Sequence, residues 1–133
     1  MWLLADRLEL VAFDFPMRRI AGGLIALAGG LIDVTGVVTF LRARTSVNPM
    51  RPAKASAVVS EGIFGLTRNP MYLGLVLVLT GWFVYLGVLS AIAGPISFVL
   101  YVHRFQILPE ERALAAKFGD EYRAYLARVR RWL

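Results

Sequence analysis

Three long runs of apolar residues restrict the folds open to this chain more than any other feature. The first extends from Ile20 to Leu41 and holds one acid, Asp33; the second extends from Met71 to Gly87 and the third from Val88 to Leu108. A helix crosses the hydrocarbon of a bilayer with about 20 apolar residues, fewer where flanking side chains snorkel or the bilayer thins. With 58% hydrophobic residues among 133 and a mean hydropathy of +0.62, the chain carries more apolar surface than one soluble core of this size can cover. The expected fold class is an all-α integral membrane protein with about three transmembrane helices, 20–41, 71–87 and 88–108, in a single domain over 1–133. An uncharged turn near Leu86, Gly87 and Ser90 separates the second run from the third, so these two form a tight antiparallel hairpin whose other ends share one side of the membrane.

That shared side carries the charge. Arg42, Arg44, Arg51, Lys54 and Arg68 follow the first run, and Arg104, Arg112, Lys117, Arg123, Arg128, Arg130 and Arg131 follow the hairpin. The positive-inside rule makes both segments cytoplasmic. The net charge of +6 therefore reads as membrane flanking and not as a nucleic-acid surface. The absence of cysteine excludes disulfides, thiolate metal sites and cysteine nucleophiles. A single histidine argues against an all-protein metal site.

The N-terminal MWLLADRLELVAFDFPMRRIA has acids and a base breaking its apolar part before Pro16 and lacks the plan of a signal peptide. It reads as an interfacial helix or the remnant of another span, with Trp2 to Ala5 as a last turn. Gly22, Ala26 and Gly30 recur every four residues in the first run, and Gly74 and Gly81 share a face of the second; such small residues let helices pack closely in lipid. Residues 45–62, TSVNPMRPAKASAVVSEG, read as a proline-containing loop. Beyond the hairpin, Pro109 followed by Glu110 and Glu111 reads as a helix start, and Gly119–Asp120 as a stop and a new cap. Leu114, Phe118, Tyr122, Tyr125 or Leu126, and Val129 then form one apolar stripe opposite basic residues, the pattern of amphipathic helices on a membrane or protein surface.

GIFGLTRNPMYLG at 62–74, a hydrophobic hairpin, and RFQILPEERALAAKFGDEYRAYLARVRRWL at 104–133 together resemble the membrane-embedded methyltransferases related to isoprenylcysteine carboxyl methyltransferase and the phospholipid methyltransferases. TSVNP at 45–49 resembles the loop of small bacterial members. The likeness covers roughly residues 20–133 and lies in an ordered set: an Arg-x-Pro-x-Tyr-x-Gly entrance, a hairpin, then a glutamate pair followed by Phe-Gly-x-x-Tyr. It implies S-adenosylmethionine as cofactor and a lipophilic acceptor reached from the bilayer, in a bacterial inner-membrane protein with its site facing the cytoplasm. Eukaryotic relatives have histidine where this chain has Asn69, which cannot titrate near neutral pH, so a base at that position is not carried over.

On this resemblance the cofactor wall comprises Arg68, Asn69, Pro70, Tyr72 and Gly74 at the mouth of the second span, faced by Glu110 and Glu111 at the exit of the third. Arg68 and Tyr72, four apart, lie on one helix face. Arginine suits the cofactor carboxylate by bidentate pairing, and a glutamate accepts from ribose hydroxyls or an ammonium. Arg68, Asn69, Tyr72 and Glu110 are the candidate catalytic groups. His103 and Gln106, at i and i+3 with Glu110 at i+7, extend the polar face if the helix continues past Pro109. Asp33 has no counterpart in the motif and is expected to pair with a basic or polar neighbour. A small multidrug-type transporter built on Asp33, or a structural membrane subunit, are the rival classes; neither gives the glutamate pair a reason to face Arg68. Prenylated thiol acids, aminophospholipids and small hydrophobic molecules are all acceptors of the right kind, and a homo-oligomer is compatible with the glycines.

Overall fold

A computed structural model describes residues 11–43 and 58–133. Most of these residues are helical, and no strand forms among them beyond an isolated bridge between Ala12 and Val88. Helix α1 is Arg18–Arg42, α2 is Pro70–Leu86, α3 is Ala93–Val102, α4 is Leu108–Phe118 and α5 is Asp120–Arg128. Short 3-10 turns at Gly62–Gly65 and Leu89–Ile92 precede α2 and α3, and a π turn at His103–Ile107 joins α3 to α4. Two helices are long and apolar enough to cross a membrane: α1, with 25 residues, and the unbroken helical run Leu89–Phe118, with 30. At 17 residues, α2 is a shorter apolar helix. The loop 45–57, with Arg51 and Lys54, Arg44, and the stretch Trp2–Ala5 lie outside the described residues.

The apolar side chains face outward. Leu24 and Leu31 of α1 are each 61% exposed, as is 66% of Leu100 on α3, while the buried apolar residues are few and, Ala91 apart, gather around Tyr72 and the tail. Such a surface is unfavourable in water and favourable in hydrocarbon. Between α2 and α3 an open groove of about 340 Å³, lined by Thr80, Phe83, Ile92, Pro95, Val99 and Leu100, adds to it. The Thr80 hydroxyl is spent on the Val76 carbonyl at 2.7 Å, so the groove presents little polarity.

Helices α1 and α2 run antiparallel and touch backbone to backbone. A β-carbon at Gly22 would lie 2.6 Å from the Gly81 oxygen, and one at Gly29 would lie 2.5 Å from the Gly74 oxygen. Gly36 continues the seam against the side chains of Pro70 and Met71. The seam is therefore Gly22, Gly29 and Gly36, with Ala26 against Gly81; Gly30, expected in it from a four-residue period, faces open space. Contact repeats every seventh residue, the interval at which two turns return the same face to the partner, as in helices that pack along their length. Asp33 also lies on this seam, its β-carbon beside Gly74. The expected partner for it is absent among the described residues.

The far end of the pair closes on Gly87. This residue sits at φ 67° in the left-handed region, ending α2, as the C-terminal turn of a helix favours. The Arg18 guanidinium donates to the carbonyl oxygens of Val84, at 3.3 Å, and Tyr85, placing a cation at the negative end of the α2 dipole. A side chain at Gly87 would collide with that guanidinium. Asp14 holds Arg18 from the other side at 3.1 Å. Residues 11–15 are extended, not the interfacial helix expected there: Phe13 N–H donates to the Gly87 oxygen at 2.8 Å, Leu89 N–H donates to the Val11 oxygen at 3.1 Å, and Phe13 packs on Phe83.

Helix α4 begins at Leu108 with Pro109, Glu110 and Glu111 in its first turn, as expected, but it continues α3 through the π turn without a break. Proline lacks the N–H owed to the carbonyl four residues back and its ring crowds that carbonyl. The backbone accommodates this with the π turn, in which Leu108 N–H donates to the His103 oxygen, and the helix passes through Pro109. The helix then breaks at Gly119, as expected. The apolar stripe of the tail packs inward: Tyr122, Tyr125 and Val129 are buried against Val58, Leu114, Ala115, Phe118 and Leu126.

Candidate active site

Where α2 begins and α4 leaves the π turn, the polar residues of the two helices meet. Pro70 is the first residue of α2, a position where its missing N–H costs nothing and its φ is already helical. This fixes Tyr72 on the face of α2 turned toward α4. The Tyr72 hydroxyl donates to Glu110 Oε1 at 2.6 Å. The other oxygen of Glu110 takes no hydrogen bond from another described residue. Tyr72 packs below with Val102, Ile107, Phe98 and Trp132, which seals the apolar side of the pair.

Beside it, Glu111 is held by two arginines. Arg68 Nη1 lies 3.1 Å from Glu111 Oε1. Arg131 donates through Nε to Oε1 and through Nη2 to Oε2, both at 2.9 Å, a bidentate fork. Those hydrogen bonds hold the Arg131 guanidinium above its ordinary pKa, with burial opposing them. The Arg68 and Glu111 side chains are only 12% and 16% exposed. Two cations on one anion leave this trio with a net charge of +1. Arg68 Nε is buried and has no hydrogen-bond partner among the described residues, an exception among buried polar groups that calls for an acceptor.

The segment after α5 folds back over the entrance of α2. Arg68 N–H donates to the Arg130 oxygen at 3.0 Å. The Asn69 amide donates to the Arg131 oxygen at 2.8 Å, while the Asn69 backbone N–H reaches the Thr67 hydroxyl at 3.2 Å. Asn69 is thus a buried fastener between two chain segments. Tyr125 ties down the turn before α2 by donating to the Phe64 oxygen at 2.8 Å, and Phe64 in turn meets Phe40 of α1 edge to face. Burial foremost, and then the nearby Glu111 charge, pushes the Tyr122 phenol up to about 12. Burial raises Tyr125 as well. Both phenols stay protonated at neutral pH and serve as packing or donor groups.

The structure thus brings together Arg68, Asn69, Tyr72, Glu110 and Glu111, with Pro70 setting the register. Gly74 is corrected: it faces α1, on the opposite side of α2 from Glu110, because Gly29 and Asp33 need its missing side chain. His103 and Gln106 are half-buried on the π turn, and no hydrogen bond joins His103 to the Arg68–Glu111 group among the described residues. Asp33 lies on the α1 seam, apart from the cluster. Sequence reading missed Arg131, Thr67 and Tyr122 as neighbours of the site. Arg131 sat in a basic run without a local marker; the Trp132 beside it, an aromatic in a charged tail, was the one available signal.

Apolar helices wrapped in exposed hydrocarbon side chains, with a cluster of charged and polar side chains where α2 meets α4, are the features of a membrane protein. The chain belongs to the phospholipid methyltransferase family, whose pattern matches residues 17–121. That match contains Arg68, Tyr72, Glu110 and Glu111 and stops short of Arg131. An uncharacterized protein of Haemophilus influenzae is 52% identical over 63 residues, 100% of that protein and 47% of this chain. No solved structure matches. Membership supports an enzyme, a methyltransferase whose substrate resides in the membrane.

Proposed function

We propose that this protein transfers a methyl group from S-adenosylmethionine to a lipophilic acceptor, with the reaction at the rim where α2 meets α4. The observation that carries the reading is the Arg68 guanidinium, buried in the Arg68–Glu111–Arg131 trio of net charge +1 with its Nε unpartnered among the described residues, next to Glu110, one of whose oxygens takes no hydrogen bond from them. The donor set fits the cofactor: a carboxylate matches Arg68, and the free Glu110 oxygen accepts from a ribose hydroxyl or an ammonium. When bound, the cofactor supplies a methyl group activated on a sulfonium. The chain's own part is to bind, orient and exclude water. Arg68 anchors, Tyr72 fixes the rotamer of Glu110, Asn69 holds the entrance turn, and the Tyr72–Val102–Ile107 cluster with Trp132 keeps the neighbourhood dry. Alignment of donor and acceptor supplies most of the rate in such a site. Asn69 is no base: its amide does not titrate and is spent on the Arg131 carbonyl.

Family membership favours this reading over a transporter or a structural subunit, and an aminophospholipid over the other acceptors. The apolar groove between α2 and α3 suits a hydrocarbon chain. The test is equilibrium binding of S-adenosylmethionine to detergent-purified protein, followed by transfer of labelled methyl to phosphatidylethanolamine vesicles. Saturable binding is expected; a folded protein that binds none refutes the proposal.

We also propose that α2 crosses the membrane with the other two apolar helices, that α4 and α5 are cytoplasmic, and that the turn at Leu89 lies outside. The charge asymmetry supports it. In this cysteine-free chain, cysteine at Leu89, 48% exposed, is expected to react with an impermeant thiol reagent from outside. Cysteine at Arg123, whose side chain is 68% exposed, is expected to react only in inverted or opened membranes. The reverse pattern turns the topology over.

A further inference from the structure

The trio Arg68–Glu111–Arg131 is uneven in a way that assigns its members different work. Arg131 occupies Glu111 with a two-pronged fork, using both carboxylate oxygens. Arg68 reaches the same carboxylate with one nitrogen, Nη1, and keeps Nε buried and unpartnered. Were Arg131 absent, Arg68 and Glu111 would be a neutral pair with little exposure to solvent. The fork geometry, the strongest an arginine and a carboxylate can form, would then be open to Arg68. A guanidinium engaged in that way has neither the net charge nor the free edge to hold a second carboxylate.

We propose that Arg131 is a positioning residue that neutralises Glu111, and thereby keeps the charge and the free edge of Arg68 available for the carboxylate on the amino-acid end of the cofactor. This rests on the reading that S-adenosylmethionine binds at Arg68. Glu111 then orients Arg68 and does not itself hold the cofactor, while Glu110 with its free oxygen remains the ligand-facing acid. The segment's attachment to α2 is independent of the Arg131 side chain, because the Arg68 N–H and the Asn69 amide bond the backbone oxygens of Arg130 and Arg131. Removing the guanidinium therefore leaves the fastening in place.

The experiment measures dissociation constants of three probes, S-adenosylmethionine, S-adenosylhomocysteine and methylthioadenosine, for the wild-type protein, Arg131→Ala and the double variant Arg131→Ala/Glu111→Gln. Melting temperature is followed throughout. Methylthioadenosine keeps the nucleoside and the sulfur but lacks the amino-acid end. Arg131→Ala is expected to weaken the first two probes about tenfold or more and to leave methylthioadenosine unchanged. Removing the Glu111 charge in the double variant restores the +1 of the cluster and is expected to recover most of the loss. Wild-type affinity for S-adenosylmethionine in Arg131→Ala overturns the proposal. So does an equal loss for methylthioadenosine, which marks a general collapse of the pocket, and so does a double variant with no recovery. A folded wild-type protein that binds none of the three overturns the cofactor reading itself, and this inference with it.

Discussion

Valine in place of Gly29 is expected to separate α1 from α2 and to cost the protein its folded state in mild detergent, whereas valine in place of Gly30, the next residue, is expected to be nearly silent. The β-carbon added at Gly29 would lie 2.5 Å from the Gly74 oxygen, 2.8 Å from the Val78 nitrogen and 2.8 Å from the Leu77 β-carbon. Two of these are backbone atoms inside a helix, so no rotamer change relieves the clash. Overpacking a tight interior costs about 1–3 kcal/mol and sometimes more, out of a total stability of about 5–15 kcal/mol. Here the whole seam must open, so the upper end applies. At Gly30 nothing lies within 4 Å, and an exposed substitution away from special features changes stability by about 0.5 kcal/mol or less. Melting curves of both variants decide the matter; equal melting temperatures would mean that the seam does not run through Gly29.

Arg68→Ala is expected to lower the affinity for S-adenosylmethionine by about tenfold to somewhat over a hundredfold, from the roughly 1.5–3 kcal/mol of a hydrogen bond to a charged group. The fold is expected to survive, because Glu111 keeps its two bonds to Arg131 and the Arg68 backbone N–H keeps its bond to the Arg130 oxygen. The affinity is read by calorimetry and the fold by melting temperature. A well-folded Arg68→Ala protein with unchanged affinity would place the cofactor elsewhere.

The parts legible in the sequence are those whose cause is local. Apolar runs, the turn at Gly87, the proline at the start of α2 and the stop at Gly119 each follow from a few neighbouring residues. Arg68 and Tyr72 were readable from their places in one short motif, although α2 begins only at Pro70 and Arg68 lies before it rather than on a shared helix face; the glutamates were readable because a short turn returns the third run to the same level. Gly30 was misread because a four-residue spacing is the commonest signature of close helices, whereas only the packed pair reveals that contact here repeats every seven. Pro109 and the two acids do open α4, as their local pattern suggests, but no local rule shows that a π turn joins this helix to α3 without a break. Arg131 was illegible for a different reason: its partner Glu111 is 20 residues away and its carbonyl's partner, Asn69, 62 away, and only the neighbouring Trp132 sets it apart from the other arginines of a basic tail.

The π turn makes the helix from Leu89 to Phe118 a rod with an adjustable phase. Each residue of an α-helix advances the face by roughly 100°, and the wider turn at His103–Ile107 takes up one residue without breaking the rod. Everything before it, including the groove side with Val99 and Leu100, is aimed by one bearing; everything after it, including Glu110 and Glu111, is aimed by another. The apolar half and the charged half of a single helix can thus drift apart in sequence, each following its own neighbours, without either disturbing the alignment of the other.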